Sequence, residues 1–326
     1  MTAGVAVNVP PASPPPDRAG QGRSARRRRT TSERREARAG ILFASPWLIG
    51  MLVFTVGPIV ASIVISLTDW SLASSPNFVG TENYSDMFQS RDFRNSVTVT
   101  LTYVLIGVPL FQVAGLALAL LLNLRLPGMR IFRTILFLPA VLSGVAVAVL
   151  WSQLLNPDGP VNEALRLLGV SDPPGWLSSP RWSVPAVVLI GLWSTGTGAI
   201  IYLAGLQNVP PELYEVARID GAGPVRAFFK ITLPMITPTL LFTLLNGIIG
   251  AFQMFDIAYV LGGSRGGSGG SLSFYLLYLW NEGFRNGRFG YASALAWVFV
   301  VVAGVLIIAI LKTSNRWVYE ESGDQR

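Results

Sequence analysis

The sequence predicts an all-α integral membrane protein with six transmembrane helices and both termini in the cytoplasm. Three observations carry that reading. Charged residues make up only 13% of the 326 residues and hydrophobic ones 51%, with mean hydropathy +0.49, whereas soluble domains carry about 25% charge. Six stretches are long and apolar enough to cross a bilayer, which takes about 20 residues at 1.5 Å rise. Lys and Arg also segregate. With the N-terminus inside, 18 of the 25 fall on cytoplasmic segments and 7 on outer loops, the asymmetry expected of inner loops.

Taken in order, residues 1–40 form a tail that is first Pro-rich ("VPPASPPPD") and then Arg-rich ("RSARRRRTTSERREARAG"). Such a composition cannot bury enough apolar surface to fold alone. Its cations hold the end inside and attract anionic lipid. The tail reads as a topology anchor rather than a nucleic-acid arm, and no nucleic-acid partner is expected. A cleaved leader is disfavoured because the charged region is too long and the apolar run exceeds a core of about 7–15 residues. The membrane domain is expected over 41–313, with spans near 41–67, 97–122, 134–155, 184–206, 235–260 and 291–311. Outside, 68–96 is compact, polar and aromatic, and 156–183 is a turn, a short helix and a turn. "GGSRGGSGGS" (262–271) reads as a flexible connector. "LSFYLLYLW" (272–280) is too short to cross and is expected at the outer interface. Residues 314–326 form a cytoplasmic tail.

The chain contains no Cys and no His, which removes disulfides, thiol nucleophiles and imidazole chemistry. It has no Gly-Lys pair, hence no Walker-type nucleotide site. No catalytic residue, metal or cofactor of its own is expected, and convergent acid–base groups for an embedded enzyme are missing. No internal repeat is visible, and Asp256 is the only acid within an expected span. Both features disfavour an ion-coupled secondary transporter, which stands as the alternative.

The most informative polar stretch is the loop 207–234, between spans four and five and therefore cytoplasmic. Pro211 suits a first helical position, and Glu212 and Glu215 sit in the first turn. Gly221 ends that helix and Pro224 starts another. Ala217 and Gly221 leave a small-residue notch. The residues alone allow a docking surface or an amphipathic helix lying in the headgroups.

"YEVARIDGAGPVRAFFKITLP" (214–234) resembles the cytoplasmic loop of the membrane subunits of binding-protein-dependent ABC importers. That pattern is Glu-Ala-Ala, three residues, Gly, nine residues, Ile-x-Leu-Pro. Glu215, Ala217, Gly221, Ile231, Leu233 and Pro234 match it, and Val216 replaces the middle alanine. "FDIAYVLGGS", "GYASALAW" and "RWVYEE" resemble the carbohydrate-uptake branch, and the resemblance spans about 40–320. It implies a type I importer permease fold in a bacterial cell membrane. It also implies a coupling helix in which Glu215 contacts an ATPase, Ala217 and Gly221 allow close seating, and Arg218 and Asp220 steady the loop. The implied partners are two ATPase subunits that use ATP-Mg, a second related permease, a solute-binding protein and a carbohydrate-type solute.

Within span five, Asn246, Gln253 and Asp256 fall in an arc of about 80° at 100° per residue. Asn246 and Gln253 are candidates for a polar pathway, with Phe252, Phe255 and Tyr259 as apolar faces for sugar rings. Asp256 is read first as a packing group near the outer end. Gly191, Thr195 and Ala199, every four positions in span four, read as helix-packing residues.

Overall fold

The computed structural model describes residues 31–71, 74–124 and 127–318, and the chain divides after Pro58 into two units. The expected tail lies outside the described residues as far as residue 30, as do Arg125 and residues 319–326. In the first unit, α1 (Thr31–Met51) begins well before residue 41, because "SERREARA" is rich in strong helix formers. A π-helical turn, Leu52–Val56, follows. α2 (Gly57–Ser66) runs on into the second unit.

Four helices are long and apolar enough to cross a membrane: Gly40–Ser66, Arg91–Leu122, Thr237–Gly262 and Phe289–Ser314. Two bent pairs pass the same test together, making six spans if each pair counts once. After α3 (Glu82–Gln89), α4 (Arg91–Leu122) starts at the N-cap Ser90, whose hydroxyl accepts from the Phe93 amide. α4 therefore takes in Arg91 and Arg94, which the sequence reading left in a loop.

The third span is not one helix. α5 (Met129–Val141) ends two residues after Pro139, and Leu142 and Ser143 are extended. α6 (Gly144–Leu154) then restarts at 93° to it, with the Ser143 hydroxyl accepting from the Ala146 amide. A proline lacks the donor that a continuing helix needs, and a Ser N-cap supplies a fresh start. After α7 (Pro160–Leu167), the fourth span is likewise two helices, α8 (Pro180–Trp193) and α9 (Gly196–Gln207), bent by 47°.

α4 is the central strut of the second unit, packing against α8, α9 and α13 (Thr237–Phe252). Lipid tails are as apolar as side chains, so helices associate through close packing and interhelical hydrogen bonds. Small residues accordingly sit at the crossings. Gly191 faces the Phe111 ring, Gly115 faces the Tyr202 ring, and Ala199 and Thr195 are buried. A Cβ on Gly196 would lie 1.9 Å from the Leu136 carbonyl oxygen, so the α5–α9 crossing requires glycine there.

Between α9 and α13 lie α10 (Pro211–Ile219), α11 (Pro224–Ala227), a π-helical turn (Phe228–Thr232) and α12 (Leu233–Met235). α14 (Asp256–Gly262) follows α13 after a break. The glycine segment is not a free connector. The Leu272 amide donates to the Gly266 carbonyl at 2.7 Å, and Asn281 Nδ2 donates to the Ser264 carbonyl at 2.6 Å. α15 (Tyr275–Trp280) and a π-helical turn, Asn281–Arg285, lead into α16 (Phe289–Ser314). The 272–280 stretch packs into the protein. Leu272, Phe274 and Leu277 are buried in the core, and the Tyr275 amide donates to Thr100 Oγ1 of α4 at 2.9 Å. Its apolar residues serve protein packing, which length and composition alone do not reveal.

Candidate functional site

α10 starts with Pro211 at its first position and ends in a complete Schellman turn. Gly221 has φ +73°, its amide donates to the Arg218 carbonyl at 3.1 Å, and the Ala222 amide donates to the Ala217 carbonyl at 2.8 Å. These bonds satisfy carbonyls that a helix end otherwise leaves open. Pro224 then begins α11, as the sequence predicts. No residue of α10 is buried, and Glu215, Arg218, Asp220 and Gly221 are exposed while Ala217 is half-buried.

The side chains of Glu215, Arg218 and Asp220 make no hydrogen bond or ion pair among the described residues. Arg218 and Asp220 enter the turn through their backbone, the Arg218 carbonyl accepting from the Gly221 amide and the Asp220 amide donating to the Val216 carbonyl. The side-chain anchor is Tyr214, whose hydroxyl lies 2.8 Å from Thr232 Oγ1 and whose ring packs against the core around Tyr202 and Leu206. Sequence reasoning named Val216 only as a departure from the pattern and passed over Ile219 and Val225, and all three stand exposed. Their signal is an i, i+3 apolar pair beside the charged face of the same short helix.

The pathway candidates are rearranged by the break after α13. Gln253 is the C-cap of that helix and Phe255 is non-helical (φ −134°), so the continuous phase linking Asn246 to Asp256 does not hold. Asn246 is exposed and donates to the Phe242 carbonyl of its own helix at 2.8 Å. Gln253 and Asp256 are exposed. Asp256 opens α14 and lies over the first residue of α6, where a Cβ on Gly144 would sit 3.4 Å from Asp256 Oδ2. The positive end of the α6 dipole favours a carboxylate there. Phe252 is a correction: it is buried, its ring 6.1 Å from Phe299, and so belongs to the core. Tyr259 is partly exposed and stacks on Phe255.

One buried polar chain was not foreseen. Tyr202 of α9 donates to Gln112 of α4 and accepts from Thr243 Oγ1 of α13 at 2.6 Å. Three spans are tied at one point, since a polar group within a bundle seeks partners on neighbouring helices. Only their lone polarity in apolar runs marked these residues. Among the described residues no three His, Cys, Asp or Glu side chains gather to hold a metal ion.

The long apolar helices define a helical membrane component. Residues 85–320 match the family described as binding-protein-dependent transport system inner membrane component. The chain is 38% identical over 300 residues to the probable ABC transporter permease protein YesP of Bacillus subtilis, covering 91% of this chain and 97% of that one. It is 37% identical to the trehalose/maltose transport system permease protein MalF of Thermococcus litoralis, covering 86% and 95%. Among solved structures, a bacterial alginate ABC transporter in complex with an alginate pentasaccharide-bound periplasmic protein aligns with TM-score 0.75 at 26% identity, covering 87% and 96%. The chain belongs to the family of binding-protein-dependent inner membrane transport components. It is a membrane permease and not an enzyme.

Proposed function

We propose that the chain is the membrane-spanning subunit of an ATP-driven importer for a sugar-class solute, with α10 and the Gly221 turn as its contact to a separate ATPase. The observation that carries this is α10 itself, a capped helix with exposed Val216 and Ile219 and with Glu215, Arg218 and Asp220 unpaired among the described residues. Both termini and this loop are then cytoplasmic, in line with the Lys and Arg asymmetry. The chain carries no cofactor, and ATP-Mg is bound and used by two ATPase subunits. A second, related permease completes the pathway, and a solute-binding protein delivers cargo outside. The sugar class is supported by the relatives, which include a trehalose/maltose permease and an alginate transporter. Gln253, Asp256 and Tyr259, exposed around the α13–α14 break, are the solute-facing groups, with Asn246 deeper along α13. Closure of the ATPase pair would push α10, and the Tyr214–Thr232 link would pass that push into the start of span five.

The natural absence of cysteine makes the test direct. Ala217→Cys is co-expressed with an ATPase subunit carrying one cysteine in its docking groove. A disulfide whose yield changes with nucleotide is expected. Solute uptake by the chain alone, with no crosslink, would overturn the reading.

A further inference from the structure

Two cavities of the second unit adjoin at the N-terminal ends of α4 and α8. One is a groove of about 770 Å³ between these helices. Its walls change character along their length. Asn95, Thr98 and Arg181 stand near the helix starts, and further along come Ile106 and Leu110 of α4 with Val188 and Leu192 of α8. Thr98 and Thr102 return their hydroxyls to carbonyls of α4 at 2.8 and 2.7 Å, so neither asks for a polar partner in the groove. The other is a polar cavity of about 500 Å³. Asn95 and Gly269 line both, which makes the two one amphipathic recess.

The polar part is cationic. Arg91, Arg265 and Arg285 line it together with Asp92 and Glu282. Glu282 is already neutralised by Arg288 at 3.2 Å. Arg91, Arg181 and Arg265 are exposed and form no ion pair among the described residues. Four arginines of the recess therefore stand against Asp92 alone. The rim between the two parts is tied down. Asn95 Nδ2 donates to the Gly270 carbonyl at 2.9 Å, and Ser271 Oγ donates to Ser183 Oγ at 3.0 Å, so the glycine segment bridges α4 and α8 where apolar wall gives way to polar.

We propose that this recess binds one anionic phospholipid, its phosphate among the arginines and an acyl chain in the groove between α4 and α8. Length and charge both point to this occupant. From Asn95 to Leu110, α4 rises about 22 Å at 1.5 Å per residue, half the about 40–45 Å of a bilayer with its headgroups. Guanidinium groups hold phosphate through charge-assisted hydrogen bonds, while the groove needs only hydrocarbon. A membrane helix of a second subunit could fill the groove, but it would set apolar surface against unpaired cations, which is costly. The rings of Trp176 and Trp182 meet at 5.4 Å, and the Arg181 guanidinium lies 5.9 Å from the Trp182 ring. Tryptophan and arginine together suit the membrane–water boundary, the level at which a headgroup sits. The proposal needs only that the chain spans a membrane, so it stands or falls independently of the ATPase contact.

The test uses the full chain in phosphatidylcholine nanodiscs doped with a probe lipid, either phosphatidylglycerol or phosphatidylcholine, each bearing the same photoactivatable diazirine acyl chain. Mass spectrometry locates the adducts. Peptides covering 98–110 and 184–192 should be labelled by the phosphatidylglycerol probe at least about fivefold more than by the phosphatidylcholine probe, the gain expected from one cation near a membrane surface. The 300–305 stretch of α16, whose Val300 and Val305 are exposed, should label equally with both. Arg181→Gln and Arg265→Gln should each lower the groove's preference at least about twofold. Arg166→Gln, whose cation is already paired with Glu163 at 3.2 Å, should leave it unchanged. Equal labelling of the groove by the two probes marks ordinary lipid contact and overturns the proposal. Labelling of 300–305 with none in the groove shows that protein covers it, and overturns the proposal too. So does a preference that survives the Arg181→Gln, Arg265→Gln double variant.

Discussion

The hydroxyl of Tyr214 lies 2.8 Å from that of Thr232, eighteen residues further along the chain, and joins the exposed helix α10 to a buried side chain of the π-helical turn Phe228–Thr232. It ties α10 to the π-helical turn that precedes α12 and α13.

Tyr214→Phe keeps the ring in its packing site and removes that bond. The expected loss is about 1 kcal/mol of local stability. Faster amide exchange over 211–223, with unchanged exchange in α4 and α9, is the result that would bear this out. Nucleotide-dependent crosslinking at residue 217 should weaken in parallel.

Gly221 stands at φ +73°, and a Cβ there would meet no atom within 4 Å. In the isolated chain, Gly221→Ala should therefore cost only backbone strain, about 1–2 kcal/mol, and Gly221→Asn less. Crosslinking to the ATPase should suffer with both, because each adds bulk at the seat. Equal loop stability and equal crosslinking in the alanine variant would contradict this.

Gly196 and Gly198 lie two residues apart and should behave oppositely. A Cβ on Gly196 meets the Leu136 carbonyl at 1.9 Å, while one on Gly198 meets no atom within 4 Å. Gly196→Ala must move backbone at the α5–α9 crossing and should cost at least about 1–3 kcal/mol. Gly198→Ala should be neutral or stabilise by up to about 1 kcal/mol through helix propensity. Thermal unfolding in detergent, followed by size-exclusion, compares the two directly.

Asp69 accepts from the Asn77 backbone amide at 2.8 Å and from its side-chain amide at 3.1 Å. Those bonds, the backbone one first, hold its carboxyl below the ordinary value of 3.8. A lowered folded-state value means that the contribution is complete above the unfolded value and is lost as pH falls through the folded one. The Asp69–Asn77 contact should thus hold from neutral pH down to about 3.8 and weaken only below it. Asp69→Asn should loosen it at neutral pH, and amide exchange of Asn77 is the readout.

Much of this protein is legible in the sequence because the bilayer makes the key quantity local. A run of about 20 apolar residues announces a span wherever it lies. The α10 turn is also local: Pro211, Gly221 and Pro224 specify its start, stop and restart by their own backbone preferences. Other features depended on residues far apart in the chain. Pro139 signals a weakness in span three, but the bend is completed by the Ser143 cap, and the Leu136 carbonyl rests on Gly196 some sixty residues later. The arc drawn through Asn246 and Asp256 assumed an unbroken helix and failed at Gln253, and Phe252 turned inward because Phe299 lies across from it. Hydrophobic length and turn chemistry are properties of a segment, and the sequence by itself determined those. Which polar groups meet, where helices break and which rings align are properties of pairs, and only the packed tertiary structure decided them.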